Sequence, residues 1–336
     1  MKTKTTFSIL FLFVLFFSCQ EKASKKASFY HWKTKAVFSK QYETAINIAQ
    51  SNAIYLHYFD IESTQKSNWQ SDGVFPTYVL QDVAKQYKDF KIIPVVFISN
   101  KIFKTKDLNI NSLSNRIKTL INQISQKHFN KKITEIQIDC DWTESSKNAY
   151  FKLLESLNTE YSINATIRLH QIKFKDKTGV PPVQSGTLMV YNIGDLKDQK
   201  QNSILENNIV KQYINPESTY PLKLNIALPL FSQTVVFNND NQIKLIKDSD
   251  RSVLESDFHF KKVDKTNFQV VKDTLYKGFY LSKGYNLKIE ELNETEVINS
   301  YKTIKDSKLD VNELIIYHLD QNSLSNINLK SMLKQL

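Results

Sequence analysis

The chain is poor in residues that punctuate or crosslink a fold. Among 336 residues there are 2 cysteines, 6 glycines and 7 prolines. With only Cys19 and Cys140 to pair, a disulfide-stapled scaffold is excluded. The few glycines form neither GxGxxG nor a P-loop, so nucleotide binding has no support. There is no GxSxG elbow for an activated serine and no HExxH or HxH for a metal. No stretch reaches the roughly 20 apolar residues that cross a bilayer. A net charge of +11 comes from 45 basic and 34 acidic residues, with the lysines dispersed. That pattern reads as a solvated lysine-rich surface, not a nucleic-acid interface.

What is present begins with an export signal. Lys2 and Lys4 precede an apolar run from Phe7 to Phe17, which ends at Ser18-Cys19. A run this short, after a positive start, reads as a cleaved signal over residues 1–18. A small residue followed by cysteine resembles a lipobox, which implies lipid on Cys19 and a membrane-anchored lipoprotein of the bacterial cell envelope, on its periplasmic or surface face. A plain secretory signal with an incidental cysteine is the alternative. Residues 19–28 are polar and lysine-rich, as a tether would be.

The remainder, residues 29–336, alternates short β-rich runs with amphipathic segments, the pattern of parallel βα units. Strands are expected at Phe29–Trp32, Ile54–Phe59, Ile92–Ile98, Ile133–Asp139, Ser162–Leu169, Thr187–Tyr191, Leu222–Leu228 and Leu314–Leu319. Helices are expected at Gln41–Ser51, Tyr78–Phe90, Ser112–His128, Ser145–Leu157, Ser203–Ile214, Glu294–Ile304 and Leu324–Leu333. Pro181-Pro182 forbids an ordinary helix after the fifth strand. Residues 231–291 form a long interruption after the seventh, with alternating runs that predict a β-rich insertion. The expected fold is α/β, a (β/α)8 TIM-type barrel with a reduced fifth helix; an open doubly wound sheet is the rival.

In such a barrel, chemistry gathers at the C-terminal strand ends. The fourth strand ends Gln137-Ile138-Asp139-Cys140-Asp141-Trp142. Alternation puts Gln137, Asp139 and Asp141 on one face and Ile136, Ile138 and Cys140 on the other. Two close carboxylates in a barrel repel each other, so one is expected to hold its proton to unusually high pH. A helix-capping role for Asp141 is the plainer account of that residue. On the fifth strand, Thr166, Arg168 and His170 share a face, and Arg168 can pair with either aspartate. His31, Trp32, Asp60, His318 and Asp320 lie at other strand ends.

Ile138-Asp139-Cys140-Asp141-Trp142 resembles the fourth-strand motif of family 18 glycoside hydrolases, DxxDxDxE. Leu188-Met189-Val190-Tyr191-Asn192-Ile193-Gly194 is similar to their MxYDxxG segment. The chain also resembles a group of uncharacterised bacterial lipoproteins. The first likeness implies a carbohydrate ligand and hydrolysis assisted by the substrate's own N-acetyl group. It assigns Asp139 and Asp141 to the acid/base set, with Glu144, one position past the family's acid, as the only nearby nominee for the proton donor. Tyr191, Arg168, His170 and Asn192 would position substrate, and Trp32 and Trp142 would offer ring faces. The sequence departs from the motif at Ile136, at Asn192 and at Thr143, which stands where the family's catalytic Glu belongs. No cofactor or resident metal is implied, although Asp139, Asp141, His170 and His318 were they to converge would form a divalent-cation set. Loss of the acid would leave a glycan-binding protein, or a lipoprotein that binds another protein through its insertion.

Overall fold

The computed structural model describes residues 24–63, 73–105 and 108–336. The expected export signal and Cys19 lie outside the described residues. Eight parallel strands close on themselves: β1 Ala27–His31, β2 Ala53–Ser63, β3 Lys91–Ile98, β4 Glu135–Asp139, β5 Ser162–Arg168, β6 Ser185–Met189, β7 Lys223–Pro229 and β8 Val311–Tyr317. Closure is made by β1, where Phe29 pairs with Ile54 of β2 and Ile316 of β8. The fold is a TIM-type barrel, as the βα alternation predicts.

Alternation along β4 works as expected. Ile136, Ile138 and Cys140 are buried toward the helices. Gln137 points inward and anchors a polar layer: it accepts a bond from the Tyr30 hydroxyl (2.6 Å) and donates to Asn164 (2.8 Å) and Thr187 (3.0 Å). A buried amide without such partners would cost on the order of 1–3 kcal/mol. Outside the barrel, α1 (Lys40–Ile48) is capped by Ser39, and α2 (Ile110–Phe129) by Asn109. On α2, Leu113, Ile117, Ile121 and Ile124 make the buried stripe that a 3.6-residue period requires. α3 (Lys147–Asn158) buries Tyr150, Leu153, Leu154 and Leu157 against the sheet.

The fifth helix is reduced to two short pieces, Leu169–Lys173 and Lys175–Thr178, stopped by Gly179 at φ 76° before the proline pair. Two helical expectations fail. Residues 78–90 hold a two-residue strand, Asp82–Val83, and a 3-10 turn, Lys85–Asp89, because Asp82–Val83 pairs with Lys35–Ala36. The last helix is broken in two, Gln321–Ser325 and Leu329–Gln335, since Asn328 caps the second afresh.

The insertion after β7 carries a five-stranded antiparallel sheet in the order Ile243–Lys247, Gln233–Phe237, Asn286–Glu290, Asn267–Val270, Phe260–Lys262. It has its own core, which includes Phe268, Leu287 and Ile289. A buried ion pair fastens it to the loop after β6. Glu290 accepts from the Ser203 amide (3.0 Å) and hydroxyl (2.5 Å) and from Gln233 (2.7 Å). Lys288, paired with Glu290, donates to the carbonyls of Asp198 and Gln201. Burial of these two charges is sustainable because each is bonded on several sides.

Candidate functional site

The β4–β5 side of the mouth carries the acidic pair. Asp139, the last residue of β4, is only 6% exposed and accepts a bond from the Thr166 hydroxyl at 2.7 Å. Burial, followed by the charge of Asp141, raises its pKa to about 6, against the pull of Arg168 and the Thr166 bond. Asp139 therefore holds its proton into weakly acidic pH. Asp141 lies past the strand end and is exposed, and Arg168 grips both of its oxygens, Nε to Oδ1 at 2.5 Å and Nη2 to Oδ2 at 3.1 Å. This fork geometry fixes both side chains. Asp141 does not cap α3, whose cap position is Ser146.

Other expected site residues are distributed differently. Glu144 is exposed in the turn before α3 and makes no hydrogen bond or ion pair with a described residue. The Thr143 hydroxyl lies within hydrogen-bonding distance of those of Ser145 and Ser146. Trp142 offers no ring face. It is wholly buried, stacked on Tyr150 at 5.2 Å, with its indole N–H donated to the Thr178 carbonyl. His170 is not on the β5 face; the strand stops at Arg168, and His170 is exposed on the first turn of the following helix. The four residues considered for a cation do not gather, and among the described residues no three of His, Cys, Asp and Glu form a metal-holding group.

Trp32 is half-buried, tilted against His57 at 4.8 Å and near Tyr317 at 5.7 Å. Tyr191 is buried and stacked on Tyr317, with centroids 4.5 Å apart. Its hydroxyl has no hydrogen-bond partner among the described residues. Arg168 reaches the Tyr191 carbonyl at 3.4 Å, which ties the charged pair to the aromatic stack.

Beyond that stack opens a cavity of about 260 Å³. Its walls are Asn192, Gly194 and Leu196 after β6, Phe231 after β7, and Tyr317 and His318 at the end of β8. The insertion closes it with Gln233, Leu245, Lys247 and Asp248. Asn192, expected to position substrate, lies on this wall at φ 53°, a left-handed conformation asparagine tolerates. The residues of the insertion were not foreseen. Nothing in their local pattern tells which strand end they face, because that depends on how the insertion folds back.

No protein-family model matches the chain, and no curated protein matches it in sequence. Among solved structures, the C-terminal domain of a presumed chitinase from Desulfitobacterium hafniense is similar over 93% of this chain and 99% of its own, at 12% identity and a TM-score of 0.53. The spore cortex-lytic enzyme SleL of Bacillus cereus aligns over 92% and 75%, at 12% identity and a TM-score of 0.45. A chitinase-like agglutinin from Robinia pseudoacacia aligns over 93% and 99%, at 10% identity and a TM-score of 0.44. The first of these likenesses establishes a shared barrel fold; at such identity it does not transfer an activity.

Proposed function

We propose that this protein is a glycoside-hydrolase-like barrel that takes a glycan at its mouth. The observation that carries the reading is the convergence, at one set of C-terminal strand ends, of the Asp141–Arg168 pair, the Tyr317 ring backed by buried Tyr191, and a cavity lined by apolar and polar side chains together. Sugars present hydroxyls to polar groups and C–H faces to rings, and this mouth supplies both. In the hydrolytic form of the reading, Asp139 and Asp141 orient the reacting group and Glu144 is the nominee to protonate the leaving oxygen.

A second reading, binding without turnover, is favoured by two specific features. Arg168 occupies both oxygens of Asp141, and the family's acid position is Thr143. The two readings part in one experiment. The protein is incubated with a panel of polysaccharides, and new reducing ends and retained glycan are both measured. Turnover abolished by Asp141→Asn upholds hydrolysis. Retention without reducing ends, unchanged in Glu144→Gln, upholds binding alone. Neither signal with any polysaccharide rejects the glycan reading.

The same proposal places the protein on a bacterial membrane through lipid at Cys19. Support comes from the Ser18-Cys19 junction and from the point of chain entry. Lys25 bonds to Leu333 and Ala27 to Ala49, at the strand-start face of the barrel. Incorporation of labelled palmitate, lost in Cys19→Ser, is the expected result.

A further inference from the structure

A second polar centre lies across the mouth from the β4–β5 carboxylates, and the proposed mechanism leaves it unused. Asp248 is contributed by the insertion and lines the cavity. Asp320, 2% exposed, follows β8 and caps the helix Gln321–Ser325. Lys33, just after β1, stands 3.6 Å from Asp248 and 3.7 Å from Asp320. It therefore links the insertion to the barrel beside the cavity. Asp248 itself is about one-third exposed; burial and the neighbouring Asp320 raise its pKa against the pull of Lys33, and its exposed edge is the part open to a ligand.

His318 lines the same cavity, 7% exposed, with Nδ1 buried and without a hydrogen-bond partner among the described residues. Nδ1 is sealed inside the protein, so the nitrogen left to meet a ligand atom in the cavity is Nε2, which is not buried and makes no hydrogen bond with a described residue. Burial drives His318 far toward its neutral form, although the charge of Asp320 opposes this. A neutral imidazole has one donor and one acceptor nitrogen, which suits a hydroxyl rather than an ion. Charges around the cavity are balanced, Lys33 and Lys247 against Asp248 and Asp320. Neither an anion nor a cation finds a uniform field there.

We propose that Asp248 and His318 are the ligand-reading pair of this mouth, and that they bind a neutral saccharide through hydroxyls bonded to both. The inference rests on the glycan reading and deepens it: the sugar is held on the insertion side, and Lys33 and Asp320 are positioning residues that hold Asp248 in place. A carboxylate accepts from neighbouring hydroxyls strongly, because a charged acceptor shortens and strengthens the bond.

The test uses the full chain and tetrasaccharides of N-acetylglucosamine, glucose and mannose as probes. Affinity is measured by calorimetry, and the footprint by hydrogen-exchange mass spectrometry. Asp248→Asn keeps the size of the side chain and tolerates the φ of 56° found there. The expected result is protection of residues 231–248 and 317–320, with affinity about tenfold weaker in Asp248→Asn. Binding that protects residues 139–145 instead, at unchanged affinity in the variant, overturns this assignment while the glycan reading stands. No binding of any tetrasaccharide overturns both. The footprint on the parent protein decides the matter even if the variant folds poorly.

Discussion

The two sides of the barrel mouth solve the problem of buried polar groups in opposite ways. On the β4–β5 side, partners are provided from within: Thr166 for Asp139, and a two-pronged Arg168 for Asp141. On the β8–β1 side, groups are left wanting. His31 is wholly buried with no acidic partner among the described residues, and His318 lines a cavity without a hydrogen bond to any described residue. The side richest in sequence motif is thus the more self-satisfied, and the side with little motif is the more receptive. A polar group already bonded in the folded state gains less from a ligand than one that is not.

This contrast has a titration signature, because the two sides should push stability in opposite directions over the same acid range. The largest effect is expected at His31. Burial, followed by the charge of Lys33, lowers its pKa from 6.5 to about 4. The folded protein then refuses a proton that the unfolded chain accepts. Its contribution is intact above the unfolded pKa and is lost as pH falls toward the folded one. Replacing it with Phe, which fits the edge-on contacts with Tyr42 and Tyr87, removes that loss. Chemical denaturation should show His31→Phe gaining on the parent as pH drops from 7 to 4, by about 3 kcal/mol at the end of that range. A gain that does not depend on pH would show that His31 is not held neutral.

Asp139 should behave as the mirror image. Its pKa is raised from 3.8 to about 6, so the folded state holds a proton that the unfolded chain releases. Stability from this residue is present at low pH and declines as pH rises through the folded value. Asp139→Asn keeps an acceptor for Thr166 and cannot ionise. The variant should match the parent near pH 4 and exceed it by somewhat less than about 3 kcal/mol at pH 8. An equal offset at both pH values would mean that Arg168 fully compensates the carboxylate. The smallest effect is expected for Glu144→Gln, which is exposed and unpartnered. Denaturation should shift by under about 0.5 kcal/mol. A larger shift would reveal a contact that joins Glu144 to the charged side.

Much of the β4–β5 side was legible because it is local. Alternation along one strand is enough to place Gln137 and Asp139 inside and Cys140 outside. It also brings Arg168 within reach of Asp141, as adjacent parallel strands must. The same rule failed at His170 because it says nothing about where a strand stops. Gln171 accepts the Arg168 amide and starts a helix there. Trp142 was misplaced for a related reason: past the strand end, no period governs direction, and the ring turned under α3. Glu144 was legible as exposed turn chemistry but not as a partner of anything.

The sequence alone determined eight parallel βα units, through β-rich runs whose spacing leaves parallel pairing as the economical arrangement, while closure into a barrel rests on the pairing of β1 with both β2 and β8. It also determined which β4 and β5 side chains enter the interior, since a strand's period of two admits only one choice once one face must be apolar. Only the tertiary structure decided where a ligand has room. The cavity exists because a segment some sixty residues long folds into its own sheet and returns over β6, β7 and β8, bringing Asp248 to His318. Such proximity depends on packing between surfaces far apart in the chain, and no local pattern encodes it.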